Sequence, residues 1–508
     1  MISALRPLLL KSLLKWLLGL AAGAVLVVLT IILVRAFDAR RQLDLKPWHA
    51  TLASEFRAKD LNDRSTLTEY LRIEERVFAE MEREVIAKVA PSDRGPYNRY
   101  SPDGLVNPLR FPKNWNRTYE IVPEGEVRGG VLLMHGLTDS PYSVRAEAEL
   151  YARQGFYALS LRVPGHGTVP GALTVARWED WRAAVRLGAR HVRGRVPAPR
   201  PFHIVGYSNG GALAVQYALD TLGDSALPRP DRVVLMSPMI GVTRFSGVAE
   251  GIAKMVTAVG SVPYFAQSRW LEIQPEFNPF KYNSFPAFAA EQTVEITQAI
   301  QASVEKEAAS GRIRQLPPIL AFSSLVDSTV ETWATVDALF GRLQDNGSEL
   351  VLFDVNRSAL AMGFLKDNFD SRLAALLANP GRHYRLSLVT NARAGAPDAV
   401  VKSLAPGSTE AVETPLGLAW PPQIFSLSHL AVPFRPDDPL FGITPDTSTD
   451  YGVRLGLMAP RGERGVLTVP MDQWMRLNCN PFYGYLEARV REGIPKAVSR
   501  RSPSVRHE

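Results

Sequence analysis

The strongest constraint on this chain is a rhythm that begins near Arg117, where short apolar runs alternate with segments of helical periodicity. The runs are RTYEIVP, GGVLLMHG, GFYALSLRVPGHG, PFHIVGYSNG and DRVVLMSP, and helices are predicted over 174–193 and 210–221 between them. A strand that is apolar on both faces must be covered on both faces, and strands joined through helices run parallel. The pattern therefore predicts an α/β fold, a mostly parallel sheet with helices on either side. Further strands are expected at PPILAFSS, ELVLFDV and YRLSLVTN. About eighty residues separate DRVVLMSP from PPILAFSS, too many for a simple crossover, so a helical cap over the sheet's C-terminal edge is expected at 241–315. An insertion at 356–420 has no role assigned by its sequence.

Upstream of the sheet, residues 16–34 run nineteen positions without a charge, rich in Leu, Val, Ile and Ala. At about 1.5 Å per residue this approaches the roughly 30 Å of a bilayer's hydrocarbon, so residues 1–44 are expected to be a membrane anchor. A cleaved leader is the alternative. The run is longer than a leader's apolar core, and its best small-residue site, Ala22-Gly23-Ala24, lies inside the run, with a weaker one at Val34-Arg35-Ala36. Basic residues flank both ends, so their count does not orient the span. A short N-terminal tail before a long domain favours a single-pass protein with its body outside the cytoplasm, expected in a bacterial inner membrane. Residues 45–116 read as a helical linker: Thr66 and Glu69 form a capping box, and Leu67, Leu71, Phe78, Met81 and Val85 recur at helical spacing.

The formal charge of +7 is concentrated in the tails. Residues 1–46 carry seven Lys/Arg against two acids and residues 489–508 carry six against two, leaving the body at about −2. No basic face for nucleic acid is expected. The end of the chain, 491–508, reads as a disordered basic tail. Cys479 is the one cysteine, which excludes an intramolecular disulfide and a cysteine-rich metal site.

Gly206-Tyr207-Ser208-Asn209-Gly210 fits G-x-S-x-G, and it follows strand-like FHIV and precedes helix-like GALAVQYAL. That context suits a nucleophile on a sharp strand-to-helix turn, with small residues letting the backbones approach. Ser208 is thus the expected nucleophile. An oxyanion hole needs two converging N–H groups, expected from Asn209 and from Leu137, which follows the strand VLLM and the pair His135-Gly136. The acid is expected at Asp327, after the complete strand PPILAFSS, with Asp354 as its rival. The base must follow the acid. His383 precedes a strand and His507 lies in the tail, so His429 is chosen. His135 and His166 read as structural. No metal or organic cofactor is needed.

The motifs HGLTDSPYS, RVPGHGTVP, WEDW, GYSNGG and SHLAVPFRPDDPLFG together resemble the monoglyceride-lipase and serine-aminopeptidase branch of the α/β-hydrolases, over roughly 117–345 and 420–490. The resemblance implies an α/β-hydrolase domain at 117–490, a triad at the positions of Ser208, Asp327 and His429, and oxyanion donors after the HG pair and after the serine. The chain departs from that family in the anchor and in the hundred or so residues between Asp327 and His429. The expected reaction is hydrolysis of a carboxylic ester, with an acylglycerol or lysophospholipid as substrate and Phe245, Tyr264, Phe265 and Trp270 of the cap receiving the acyl chain. Amide or thioester cleavage and acyl transfer use the same intermediate. A silent scaffold is the rival from another class, and a serine on a strained turn argues against it.

Overall fold

The computed structural model describes residues 41–241 except 61 and 63, 263–327, 329–358, 367–456 and 476–495, with scattered positions between 15 and 37. Its strands form where the apolar runs stand: β1 (Tyr119–Ile121), β2 (Gly129–Met134), β3 (Phe156–Leu161), β4 (Phe202–Tyr207) and β5 (Arg232–Met236), then a small antiparallel pair, β6 (Trp270–Glu272) and β7 (Phe285–Pro286). The sheet continues through β8 (Ile319–Ser324), β9 (Glu349–Phe353) and β10 (Arg385–Asn391) to β11 (Asp398–Leu404) and β12 (Val412–Ala419). Its order is β1-β3-β2-β4-β5-β8-β9-β10-β11-β12. From β3 to β10 the neighbours are parallel, while β1, β11 and β12 pair antiparallel at the two edges.

Alternation along each strand divides the core in two. Leu132, Ile204, Leu235 and Leu352 share one cluster with side chains of α3 (Trp178–Arg195) and α4 (Asn209–Gly223), whereas Val131, Val205, Val234 and Val351 share another with α2 (Arg145–Arg153) and α7 (Tyr483–Glu492). Two further helices, α5 (Ala287–Ala309) and α6 (Asp367–Leu377), lie in the long connections. The registers Met134↔Gly206, Tyr207↔Met236, Met236↔Phe322 and Ser324↔Phe353 level the C-terminal ends of β2, β4, β5, β8 and β9. The loops carrying His135, Ser208, Asp327 and Asp354 therefore leave one edge together.

Several expectations change here. Helix α5 falls inside the expected cap, yet Ile296, Ile300 and Val304 are buried in the α3/α4 core, so it packs beside α4 as the crossover from β5 to β8. The length of the connection had hidden the apolar face that fixes it. The 356–420 insertion widens the sheet: β10 extends it in parallel, then the chain turns back twice through β11 and β12. Residues 491–495 are ordered, with Ile494 buried, while 496–508 lie outside the described residues. Among the described residues no helix is long and apolar enough to cross a membrane; the 16–34 run lies partly outside them.

The 45–116 region wraps the body. Its helix α1 (Leu67–Glu84) starts on the predicted capping box, with the Glu69 N–H bonded to Thr66 Oγ1 and the Thr66 N–H to Glu69. Leu71 is exposed; Tyr70, Val77 and Phe78 supply the buried stripe. The wrap is held by a buried ion pair. Arg162, at the end of β3, donates two hydrogen bonds to Glu55 (2.8 and 3.1 Å) and one to the His166 carbonyl (2.7 Å), and both side chains are fully buried. Burial opposes the Arg162 charge, but Glu55 prevails and holds its pKa above the ordinary value. Removing Glu55 takes away both carboxylate hydrogen bonds of Arg162 and leaves it the more distant Glu74, whose Oε2 is 3.4 Å from Nε. Glu55→Ala is expected to lower the unfolding free energy by about 3–5 kcal/mol, read by urea denaturation of the protein; a loss below about 1 kcal/mol would mean that Glu74 alone neutralises Arg162.

Candidate active site

Ser208 stands between β4 and α4 with φ +52° and ψ −115°, a conformation that a residue with a Cβ rarely adopts. The glycines around it are required by close approach. A Cβ at Gly206 would lie 2.2 Å from the Gly210 carbonyl oxygen, and one at Gly210 would lie 2.2 Å from that of Met134. Backbone bonds hold the turn from the neighbouring loop: the Ser208 N–H donates to the Met236 carbonyl at 2.9 Å and the Met239 N–H to the Ser208 carbonyl at 3.1 Å.

The structure brings Ser208, His429 and Asp327 into one line. His429 Nε2 is 3.0 Å from Ser208 Oγ, and His429 Nδ1 is 2.7 Å from Asp327 Oδ2. A carboxylate only accepts, so the proton sits on Nδ1 and Nε2 is free to take the serine's. Asp327 is fully buried, and its Oδ1 accepts the N–H groups of Thr329 (2.9 Å) and Val330 (3.1 Å). The imidazole stacks on Tyr207, with centroids 5.5 Å apart. Acid and base loops are joined directly, because Ser324 Oγ, at the end of β8, donates to the Leu427 carbonyl at 3.1 Å. Leu427 closes β13 (Ser426–Leu427), which pairs with β14 (Arg476–Leu477) just before His429.

Asp354 is committed elsewhere. It accepts from Arg357 Nε (2.6 Å), Thr390 Oγ1 (2.7 Å) and the Val355 N–H (2.8 Å), pinning the end of β9 to β10. His135 is fixed as a brace: its Nε2 accepts the Val163 N–H at 3.0 Å, so Nδ1 carries the proton to the Gly136 carbonyl at 2.9 Å. Burial keeps its pKa well below the ordinary value and holds that of His166 down to about 4. Neither histidine is poised to exchange protons.

The expected oxyanion donors flank the serine. Asn209 opens α4, where a first-turn N–H has no intrahelical acceptor. The loop of Leu137 passes so near that a Cβ at Gly136 would come within 3.1 Å of Ser208 Cβ. No local pattern marked a lysine here, yet Lys281 Nζ donates to Thr138 Oγ1 at 2.8 Å and lies 3.5 Å from the Leu137 carbonyl. Burial lowers the Lys281 pKa and pushes that of neighbouring Asp139 up to about 6. Of the four expected acyl-chain residues, Phe245 lies outside the described residues, and only the backbone of Tyr264 and Phe265, a 3-10 turn, is described. Trp270 is buried with its ring edge against His49, centroids 4.7 Å apart, so its described contact is with the N-terminal wrap.

The model of the serine aminopeptidase, S33 family matches residues 125–354, which include Ser208 and Asp327. A thermostable monoacylglycerol lipase of Bacillus sp. (strain H-257) is 26% identical over 223 residues, covering 44% of this chain and 79% of that enzyme. Both matches support an α/β-hydrolase of the monoglyceride-lipase-like branch. Solved structures that match include a metagenome-derived lipolytic enzyme (20% identity, 47% of this chain and 87% of that one, TM-score 0.36). The monoacylglycerol lipase of Paleococcus ferrophilus is another (17% identity, 47% and 89%, TM-score 0.34). The Ser208–His429–Asp327 arrangement is that of a serine hydrolase, in keeping with these relatives.

Asp327→Asn is expected to lower kcat by about 10³–10⁴, because the amide allows the wrong imidazole tautomer. Asp354→Asn, touching no reacting group, is expected to lower the Tm and leave kcat within about a factor of three. Steady-state kinetics with a p-nitrophenyl ester separates the two; exchanged results would make Asp354 the acid.

Proposed function

We propose that this hydrolase is a membrane-tethered esterase that cleaves lipid-like esters, acylglycerols or lysophospholipids, through an acyl-enzyme on Ser208. The observation that carries the chemistry is the Ser208–His429–Asp327 relay at 3.0 and 2.7 Å on a strained turn. His429 takes the Ser208 proton as Oγ attacks the ester carbonyl carbon, and the N–H groups of Leu137 and Asn209 receive the oxyanion. The C–O bond then breaks and the departing alcohol takes the proton from His429. Water, deprotonated by His429, attacks the acyl carbon and frees Ser208.

Two observations support the lipid reading. The relative from Bacillus is a monoacylglycerol lipase. Trp16, Leu17, Leu18 and Leu20 are helical and each exposes more than half its surface, an apolar helix that a bilayer would bury. With the basic segment before Trp16 on the cytoplasmic side, the catalytic body faces the exterior, where an acyl chain drawn from lipid reaches it from the tethering membrane.

Ser208→Ala is expected to abolish both ester turnover and fluorophosphonate labelling. In the wild type, kcat/KM should rise from acetyl to medium-chain p-nitrophenyl esters, by up to about 15-fold for two added carbons at about 0.8 kcal/mol per buried methylene. Labelling that survives the substitution would assign another serine, and a flat or falling chain-length profile would remove the lipid substrate.

The tether makes its own claim. The full chain should stay with membranes through high-salt and alkaline washing, while a chain starting near residue 44 should be soluble and active, as fractionation followed by esterase assay reads directly. Release by salt alone would reduce the anchor to a surface contact.

A further inference from the structure

The loop expected to supply the second oxyanion donor does not hold its shape alone. Thr138, next to Leu137, has φ +62°, in the left-handed region where a β-branched residue is strained. Such a conformation persists only when its surroundings impose it. Here the surroundings are two consecutive residues of a distant segment. Lys281 Nζ donates to Thr138 Oγ1 at 2.8 Å and reaches the Leu137 carbonyl at 3.5 Å, and the Tyr282 N–H donates to the Thr138 carbonyl at 2.7 Å. The Tyr282 hydroxyl accepts the Thr168 N–H at 2.7 Å and lies 3.2 Å from the Gly165 carbonyl, so the same segment also secures the Gly165-His166-Gly167 loop.

This segment is itself held from behind by the N-terminal wrap. The Arg99 N–H donates to the Glu276 carbonyl at 2.9 Å, Arg99 Nη1 to the Asn278 carbonyl at 3.2 Å, and Asn116 Nδ2 to the Pro279 carbonyl at 3.0 Å. A continuous path of hydrogen bonds thus runs from the wrap, through 276–282, to the loop beside Ser208.

We infer that Lys281 is a positioning residue of the ester hydrolysis: its ammonium clamps Leu137 and Thr138 so that the Leu137 N–H faces the oxyanion. The inference rests on the serine-hydrolase reading of Ser208. Lys281 meets the carbonyl and hydroxyl of the loop, so it acts through the loop.

Removing one oxyanion donor lowers kcat by about 10²–10³, and a donor left misaligned loses part of that. Lys281→Met is therefore expected to reduce kcat by about 10- to 100-fold with KM changed less than about threefold. Fluorophosphonate labelling should slow in parallel, because the phosphoryl oxygen occupies the same hole. Lys281→Arg, which keeps a charged donor, should recover most of the rate. Thr138→Ala removes the accepting hydroxyl from the other side and should lower kcat several-fold even if Lys281→Met fails to fold. The proposal is overturned if Lys281→Met or Thr138→Ala retains wild-type kcat, or if Lys281→Met raises KM alone, which would make Lys281 a substrate contact. A kcat loss that Lys281→Arg does not restore and that tracks a fall in Tm overturns it as well. Wild-type protein without Ser208-dependent labelling would instead remove the hydrolase reading on which the clamp depends.

Discussion

The site depends on one strained residue. Ser208 at φ +52° is the point where β4 stops and α4 starts, and the nucleophile, the helix N-terminus and the approach of the β2 loop all follow from that turn. A turn so tight exists only because Gly206 and Gly210 carry no side chains and because the Met236 and Met239 backbones bond to it from the neighbouring loop. The sheet supplies the rest. Level C-terminal ends of β2, β4, β5 and β8 bring loops from distant parts of the chain to one serine, and the covered parallel core is what keeps those ends level.

A second constraint is the buried charge that ties the wrap to the body. Arg162 follows β3, donates to the His166 carbonyl and is neutralised by Glu55 and Glu74, both residues of the wrap. The body without residues 45–116 would hold an unpaired buried guanidinium, so the wrap is part of the folded unit rather than a linker between an anchor and a domain. It also gives Arg99 and Asn116 a reason to exist, since they hold the segment that reaches the oxyanion loop.

What the sequence made legible was whatever burial on two faces or a fixed local motif dictates. Strands such as VVLM and ILAF, the capping box at Thr66 and the turn at Ser208 each carry their cause within a few residues. What it concealed depends on partners far along the chain. In β12, VETPLGLA is exposed almost throughout and contains Pro415 and Gly417, so neither alternation nor propensity marks it; pairing with β11 makes it a strand. Leu71 continues an apolar spacing yet faces out, because the adjoining stripe of Tyr70, Val77 and Phe78 meets the body. Lys281 had no local signature at all, since its partner Thr138 lies 143 residues away.

The long separation of acid and base follows from the same sheet. After Asp327 the chain builds β9, then β10, β11 and β12 outward along one edge, and it must return to the end of β8 to deliver His429. Asn356, just past β9, fixes the return: its N–H donates to the Phe425 carbonyl at 2.7 Å and its Nδ2 to that of Ile424 at 2.8 Å. Trp420 packs its ring edge on Phe482 along the way, and β13 then lies against β14. The three added strands thus lengthen the path without moving its endpoint, because the endpoint is set by Asn356 and by the Ser324–Leu427 bond rather than by chain length. A place at the end of a strand made Asp354 a rival to Asp327. Attachment in space decides between them, since the chain that carries His429 is fastened to the strand that carries Asp327, while Asp354 is spent on Arg357 and Thr390.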